Sequence, residues 1–98
     1  MDINITGKQL DVTPALRDFT REKLDKIIRH FDRITSIHVI FKVEKLRKIA
    51  EATIQIPRES INAKAESNDN MYSAVDGLID KLDRQIKRHK EKDDEHRS

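Results

Sequence analysis

From Asp2 to Thr6, Ile3 and Ile5 alternate with polar residues, as in a strand with one buried face, and Gly7 ends the run. After Asp11 the period lengthens: Leu16, Phe19, Leu24, Ile27 and Ile28 recur at helical spacing, and Phe31 closes the stripe. Thr13 and Pro14 mark the start of this helix. Threonine is a good cap, and proline at the first helical position lacks only an N–H that would have no intrahelical partner. The helix is predicted to end at about His30 or Phe31. From Ser36 the period returns to two, with Ile37, Val39, Phe41 and Val43 facing one way and His38, Ile40, Lys42 and Glu44 the other. Lys45 to Lys48 reads as a basic hairpin loop, and a third strand from about Ile49 to Ile56 is predicted to bury Ala52, Ile54 and Ile56. Pro57 to Ser60 has turn chemistry. A fourth strand, Ile61 to Glu66, sets Ile61, Ala63 and Ala65 against Asn62, Lys64 and Glu66, and its small alanines predict a helix close to the sheet.

Ser67 to Asn70 offers two caps, Asp69 and Asn70, for a last helix predicted over residues 70–92. Met71, Val75, Leu78, Ile79, Leu82 and Ile86 form its core stripe. The order is therefore βαβββα, an α+β two-layer sandwich. A right-handed crossover through the first helix makes the first two strands parallel, and the other strands follow as an antiparallel meander. The result is a four-stranded mixed sheet with both helices on one face, and the other face, with Thr53, Gln55, Lys42 and Lys64, is left to water. One domain is expected over residues 1–92, followed by a disordered polar tail over 93–98 that has no apolar residue to dock.

Composition narrows the chemistry. With 98 residues, 36% hydrophobic and 4% aromatic, the chain builds a modest aliphatic core and has no room for a large enclosed active site. The absence of cysteine excludes disulfides and thiolate metal sites and fits a reducing compartment. No apolar run is long enough to span a membrane and no signal peptide follows Met1, so a cytoplasmic location is expected. His30, His38, His89 and His96 lack metal-ligand spacing, two glycines make no phosphate loop, and no nucleophile elbow is present. Neither enzymatic activity nor a cofactor is expected.

Charge changes the picture by its placement, because the net value is only +2 although 39% of residues are charged. On the last helix Asp76, Asp80 and Asp83 gather on one flank of the stripe, while Lys81, Arg84, Arg88 and Lys92 recur on the opposite flank. A ridge of one sign beside a buried face suggests a polyanion, although the helix dipole alone also draws bases towards a C-terminus. The first helix carries Lys23, Lys26 and Arg29 three apart, with Arg17 and Arg21 towards its other flank. Side by side, the two helices would merge Lys23, Lys26 and Arg29 with Lys81, Arg84 and Arg88 into one surface for the phosphates of structured RNA. No strand face is rich in aromatics, so shape rather than base stacking would be read. A protein-interaction module using the open sheet face is the competing class.

Three stretches, NITGKQLDVTPALRDF, FDRITSIHVIFKVEK and MYSAVDGLIDKLDRQIKRHKEK, resemble the bacterial ribosome hibernation factors, the group of hibernation promoting factor and ribosome-associated inhibitor A. The likeness runs from Asn4 to about Lys92. It implies a fold like that of double-stranded RNA-binding domains and binding to the small ribosomal subunit and its rRNA, in the channel for messenger and transfer RNA. Translation would be blocked in stationary phase or stress. The family's basic contacts fall on Lys23, Lys26, Arg29, Lys81, Arg84 and Arg88, with Arg17, Lys87, Lys90 and Lys92 as secondary candidates. Ending at Ser98, the chain resembles the short form, which acts with ribosome modulation factor to favour paired, inactive ribosomes. The alternative is an inhibitor A type that blocks translation without pairing. A monomer off the ribosome is expected. One departure stands out: the family usually has Asp directly before Met-Tyr, where this chain has Asn70.

Overall fold

The computed structural model describes the backbone of residues 1–97 and the side chains of residues 1–90. Its elements are β1 (Asp2–Gly7), α1 (Pro14–His30), β2 (Ser36–Glu44), β3 (Arg47–Ile56), β4 (Glu59–Ser67) and α2 (Met71–Arg97), in the expected βαβββα order. The strands form one sheet in the order β1-β2-β3-β4, with β1 parallel to β2 and the other pairs antiparallel.

Register explains the core. Ile5 lies opposite Val39, Val39 opposite Ala52, and Ala52 opposite Ala63, so one row of side chains crosses the whole sheet on a single face. Ile37, Ile54 and Ile61 form the row on one side of it, and Phe41, Ala50 and Ala65 the row on the other. Leu16, Leu24 and Ile27 of α1 and Val75, Leu78, Leu82 and Ile86 of α2 are buried in the same cluster. Each fully buried Leu or Ile contributes about 1.5–3 kcal/mol. Thr20 is the polar member of this interior; its hydroxyl donates to the Leu16 carbonyl at 2.8 Å and so is satisfied without water.

Both helix starts follow from local chemistry. Thr13 Oγ1 accepts the Leu16 N–H at 3.1 Å, with Pro14 opening α1. Of the two caps available to α2, Asn70 is the one used: its Oδ1 accepts the Ser73 N–H at 2.9 Å. The departure from aspartate thus leaves the cap intact. The alanines of β4 also do what their size predicts. A Cβ added to Gly77 would stand 3.3 Å from the Ala65 Cβ, so α2 rides close on this strand.

The structure corrects several boundaries. The basic hairpin loop shrinks to Lys45–Leu46, because Arg47 already pairs with Glu44 in the ladder. The next turn is only Pro57–Arg58, since Glu59 pairs with Ile56. Lys45 and Arg58 take left-handed backbone (φ 57 and 74), which closes both tight turns without glycine. Val43 points to the helical side but is 48% exposed, being carried past the helices by the hairpin. Ile49 is buried on the opposite, open face, between Lys42 and Glu66, where long charged side chains can lay their stems over it. The backbone of α2 stays helical to Arg97, past the expected end at Lys92, because Arg88–Arg97 contains neither glycine nor proline to stop it. The side chains of the expected polar tail lie outside the described residues.

Candidate nucleic-acid interface

The two helices lie side by side, and their contact starts at an aromatic pair. The rings of Phe19 and Tyr72 meet edge to face with centroids 5.0 Å apart. Lys23 sits over the Phe19 ring at 5.2 Å and reaches Asp76 across the helix boundary at 3.7 Å. Tyr72, a packing residue at the start of α2, still exposes 39% of its surface.

Beyond this pair a groove of about 380 Å³ runs between the helices, lined by Lys23, Lys26, Ile27 and His30 on one side and Asp76, Ile79, Asp80 and Asp83 on the other. Its far end is formed by His30, Asp83, Ile86, Lys87 and Lys90. The flank of α2 that faces α1 is therefore the acidic one, and this corrects the expectation that the two basic rows share an edge. Leu78, Leu82 and Ile86 fix the roll of α2 on the sheet, and with α2 riding on β4 the aspartates turn towards α1. On the other flank it is Lys81 that turns towards the sheet edge. Lys81 Nζ donates to the Lys64 carbonyl at 2.6 Å and Gln85 Nε2 to the Asn62 carbonyl at 2.8 Å.

The ten candidate bases thus separate into groups. Lys23 and Lys26 line the groove, and Arg29, the next of that row, is exposed. Arg84 is exposed and pairs with Asp80 at 2.9 Å, and Lys87 pairs with Asp83 at 3.0 Å. Such exposed i,i+4 pairs are worth roughly 0.3–0.5 kcal/mol, so a phosphate can displace them. Arg88, seven residues after Lys81, lies on the flank away from α1, and Lys90 stands at the groove's end. Arg17 is engaged elsewhere: its Nη1 donates to the Ile5 carbonyl at 3.1 Å. Lys92 lies outside the described side chains.

On the open sheet face the charges answer one another. Glu51 meets Lys42 at 2.8 Å and Lys64 at 3.9 Å, and Arg47 bridges Glu44 and Glu66 at 2.8 and 3.3 Å. The hydrogen bond from Lys42 holds the Glu51 carboxyl below its ordinary value, and the same bond raises Lys42 above its own. Thr53 donates to Asn62 at 2.9 Å beside them. Among the described residues no group of His, Cys, Asp and Glu could hold a metal ion, and no helix is long and apolar enough to cross a membrane.

Comparison with known proteins agrees with this architecture. The family model described as sigma 54 modulation protein / S30EA ribosomal protein matches residues 3–94. The chain is similar to the ribosome hibernation promoting factor of Pseudomonas putida KT2440, with 54% identity over 92 residues, covering 94% of this chain and 89% of that protein. Its fold is similar to a ribosomal subunit interface protein from Coxiella burnetii (TM-score 0.86, 44% identity, covering 92% of this chain and 98% of that one). It is similar also to the N-terminal domain of Thermus thermophilus Protein Y (TM-score 0.80, 27% identity, covering 91% and 99%).

Proposed function

The chain belongs to the sigma 54 modulation protein / S30EA ribosomal protein family, and on that premise we propose that it holds ribosomes in hibernation by gripping the RNA of the small subunit. Association with the ribosome and hibernation of translation go with the family. The finer reading is that the helical side of the sandwich occupies the channel for messenger and transfer RNA, blocks translation and favours paired, inactive ribosomes, with ribosome modulation factor as a second partner. The single observation that carries the RNA contact is the exposure of Lys26, Arg29 and Arg88 on the two helices, with Arg84 and Lys87 held only by exposed i,i+4 pairs, while the charges of the open sheet face are taken up by one another across strands. Exposed bases lose little when they exchange a surface carboxylate for a phosphate, and they gain from the counterions released.

Retention on purified small subunits across a salt series tests this. The logarithmic salt slope should fall by about 2 to 3 units in the Lys26→Ala, Arg84→Ala, Arg88→Ala triple variant, because each duplex phosphate left without its cation removes roughly 0.9 unit. A folded triple variant with the parent's slope would shift the case to a protein partner on the open sheet face. Sucrose-gradient sedimentation of ribosomes with the purified chain then separates the two hibernation modes, because a rise in paired ribosomes supports the pairing type and inhibition without pairing supports the inhibitor A type.

A further inference from the structure

The groove between the helices ends at the last residue of α1. His30 lines both the groove of about 380 Å³ and the cavity of about 320 Å³ that follows it, so it stands where the two meet. In the first it shares the α1 wall with Lys23 and Lys26, and in the second it lies across from Asp83, Lys87 and Lys90 of α2, with Ile86 as the floor. Further back along the seam Lys23 looks across at Asp76, 3.7 Å away. At this end the α2 residue left over is a lysine, Lys90.

Availability sets His30 apart. His30 and Lys90 are exposed, and among the described residues the side chain of neither is engaged in a hydrogen bond or ion pair. Asp83 reaches both cavities, but Lys87 holds its carboxylate at 3.0 Å, so the two charges of that pair answer each other. The other described histidines have partners. His89 Nδ1 meets Glu59 at 2.7 Å, in a pocket of about 640 Å³ that Arg33 and Arg58 also line, and His38 Nε2 lies 3.4 Å from Thr6 Oγ1.

We propose that the bound RNA crosses from α1 to α2 at this point, one backbone phosphate lying between His30 and Lys90, and that protonation of His30 tightens the grip. A neutral imidazole donates one N–H to a phosphate oxygen; the imidazolium adds a positive charge, and charge-assisted hydrogen bonds are roughly twice as strong as neutral ones. Histidine is the side chain whose charge changes between pH 5 and 8, so the chain holds its RNA more tightly as its surroundings acidify. The charged groups nearest His30 favour an anion there. Lys26 stands on its own helix and Lys90 across the gap, Asp80 and Asp83 are matched by Arg84 and Lys87, and Asp32 and Arg33 follow in the chain with opposite signs. The proposal deepens the RNA-binding reading above and rests on it.

Two experiments test it. In the first, binding of the full chain to purified small subunits is measured at pH 6 and pH 8 across a salt series. The parent should bind several-fold more tightly at pH 6, with a logarithmic salt slope steeper by about 0.7 to 0.9 unit, because one more phosphate is matched by a cation. His30→Gln keeps an N–H donor without the titrating proton, so it should bind at both pH values as the parent does at pH 8, whereas His38→Gln should keep the acid gain. A gain that survives in His30→Gln, or a parent that binds equally at both pH values, overturns the crossing at His30 and leaves RNA binding standing. In the second, the free, isotope-labelled chain is titrated at pH 6 with a short RNA duplex. The His30 ring and the Lys90 amide should shift together, and both responses should shrink in Lys90→Ala; a silent His30 overturns the proposal. A parent chain that fails to bind small subunits at either pH removes the proposed function instead, and the duplex titration still decides the crossing.

Discussion

Glu51 stands between Lys42 and Lys64 on the open sheet face, and its environment makes stability depend on pH in a calculable direction. Its folded pKa lies below the ordinary 4.5, chiefly through the hydrogen bond from Lys42, so the unfolded chain takes up the proton first as pH falls. The stability it contributes is complete above about 4.5 and is lost as pH drops through the lowered folded value. Lys42, raised above 10.5 by the same bond, contributes stability that is complete below that value and lost as pH rises through its folded pKa. Glu51→Gln should therefore flatten both ends of a plot of urea midpoint against pH; equal acid slopes in parent and variant would refute the pairing. Individual residues of this kind were partly legible in the sequence. The pattern put Lys42 and Lys64 on the wetted face, and Thr13 could be named as a cap, because each depends only on neighbours along one element. The meeting of Arg33, Arg58 and His89 around one pocket could not be found that way, since turn, helix end and α2 come together only after folding.

At the scale of elements, the closeness of α2 to β4 was readable from Ala63 and Ala65, and Gly77 is the helix-side half of the same fit. Gly77→Leu forces side-chain atoms into a gap where even an added Cβ would stand 3.3 Å from the Ala65 methyl, closer than ordinary contact. It should destabilise the fold by about 1–3 kcal/mol, as overpacked cores do, measured by urea unfolding. A leucine tolerated without loss would show that the helix can lift off the strand. Turns were less legible than strands, because the loop boundaries were placed by polarity whereas the ladder runs until the backbone must reverse. The edges of the sheet were not legible at all. From the Ile56–Glu59 pair at the turn, the ladder alternation leaves Asn62 and Lys64 with carbonyls facing outwards, and these are the carbonyls that Gln85 and Lys81 occupy. On the other side Arg17 takes the Ile5 carbonyl of β1. Lys81 and Arg17, which the sequence offered as candidate RNA contacts, thus close strand edges together with Gln85. Lys81→Ala with Gln85→Ala should leave the monomer folded and raise its tendency to self-associate in analytical ultracentrifugation; unchanged sedimentation would mean the edge is protected by other means.

For the whole molecule, the roll of α2 decides the electrostatics. Sequence periodicity set Lys81 apart from the aspartates, but Arg84, placed with it, reaches back to pair with Asp80, and periodicity could not say which flank would meet α1, because that depends on which strand the helix lies over. With Asp76, Asp80 and Asp83 turned inwards, an acidic seam runs between the bases of the two helices. It should oppose a phosphate backbone laid across both. Replacing the three with asparagine should strengthen binding to small subunits and steepen the salt dependence; weaker binding would mean that the seam meets a basic partner such as a ribosomal protein. The same sandwich also bears on crowding. A strand that left its carbonyls open would recruit copies of its own chain as concentration rises, and polymers would follow. With the carbonyls of Ile5, Asn62 and Lys64 already occupied by Arg17, Gln85 and Lys81, the flanks of this sheet offer such growth fewer places to begin.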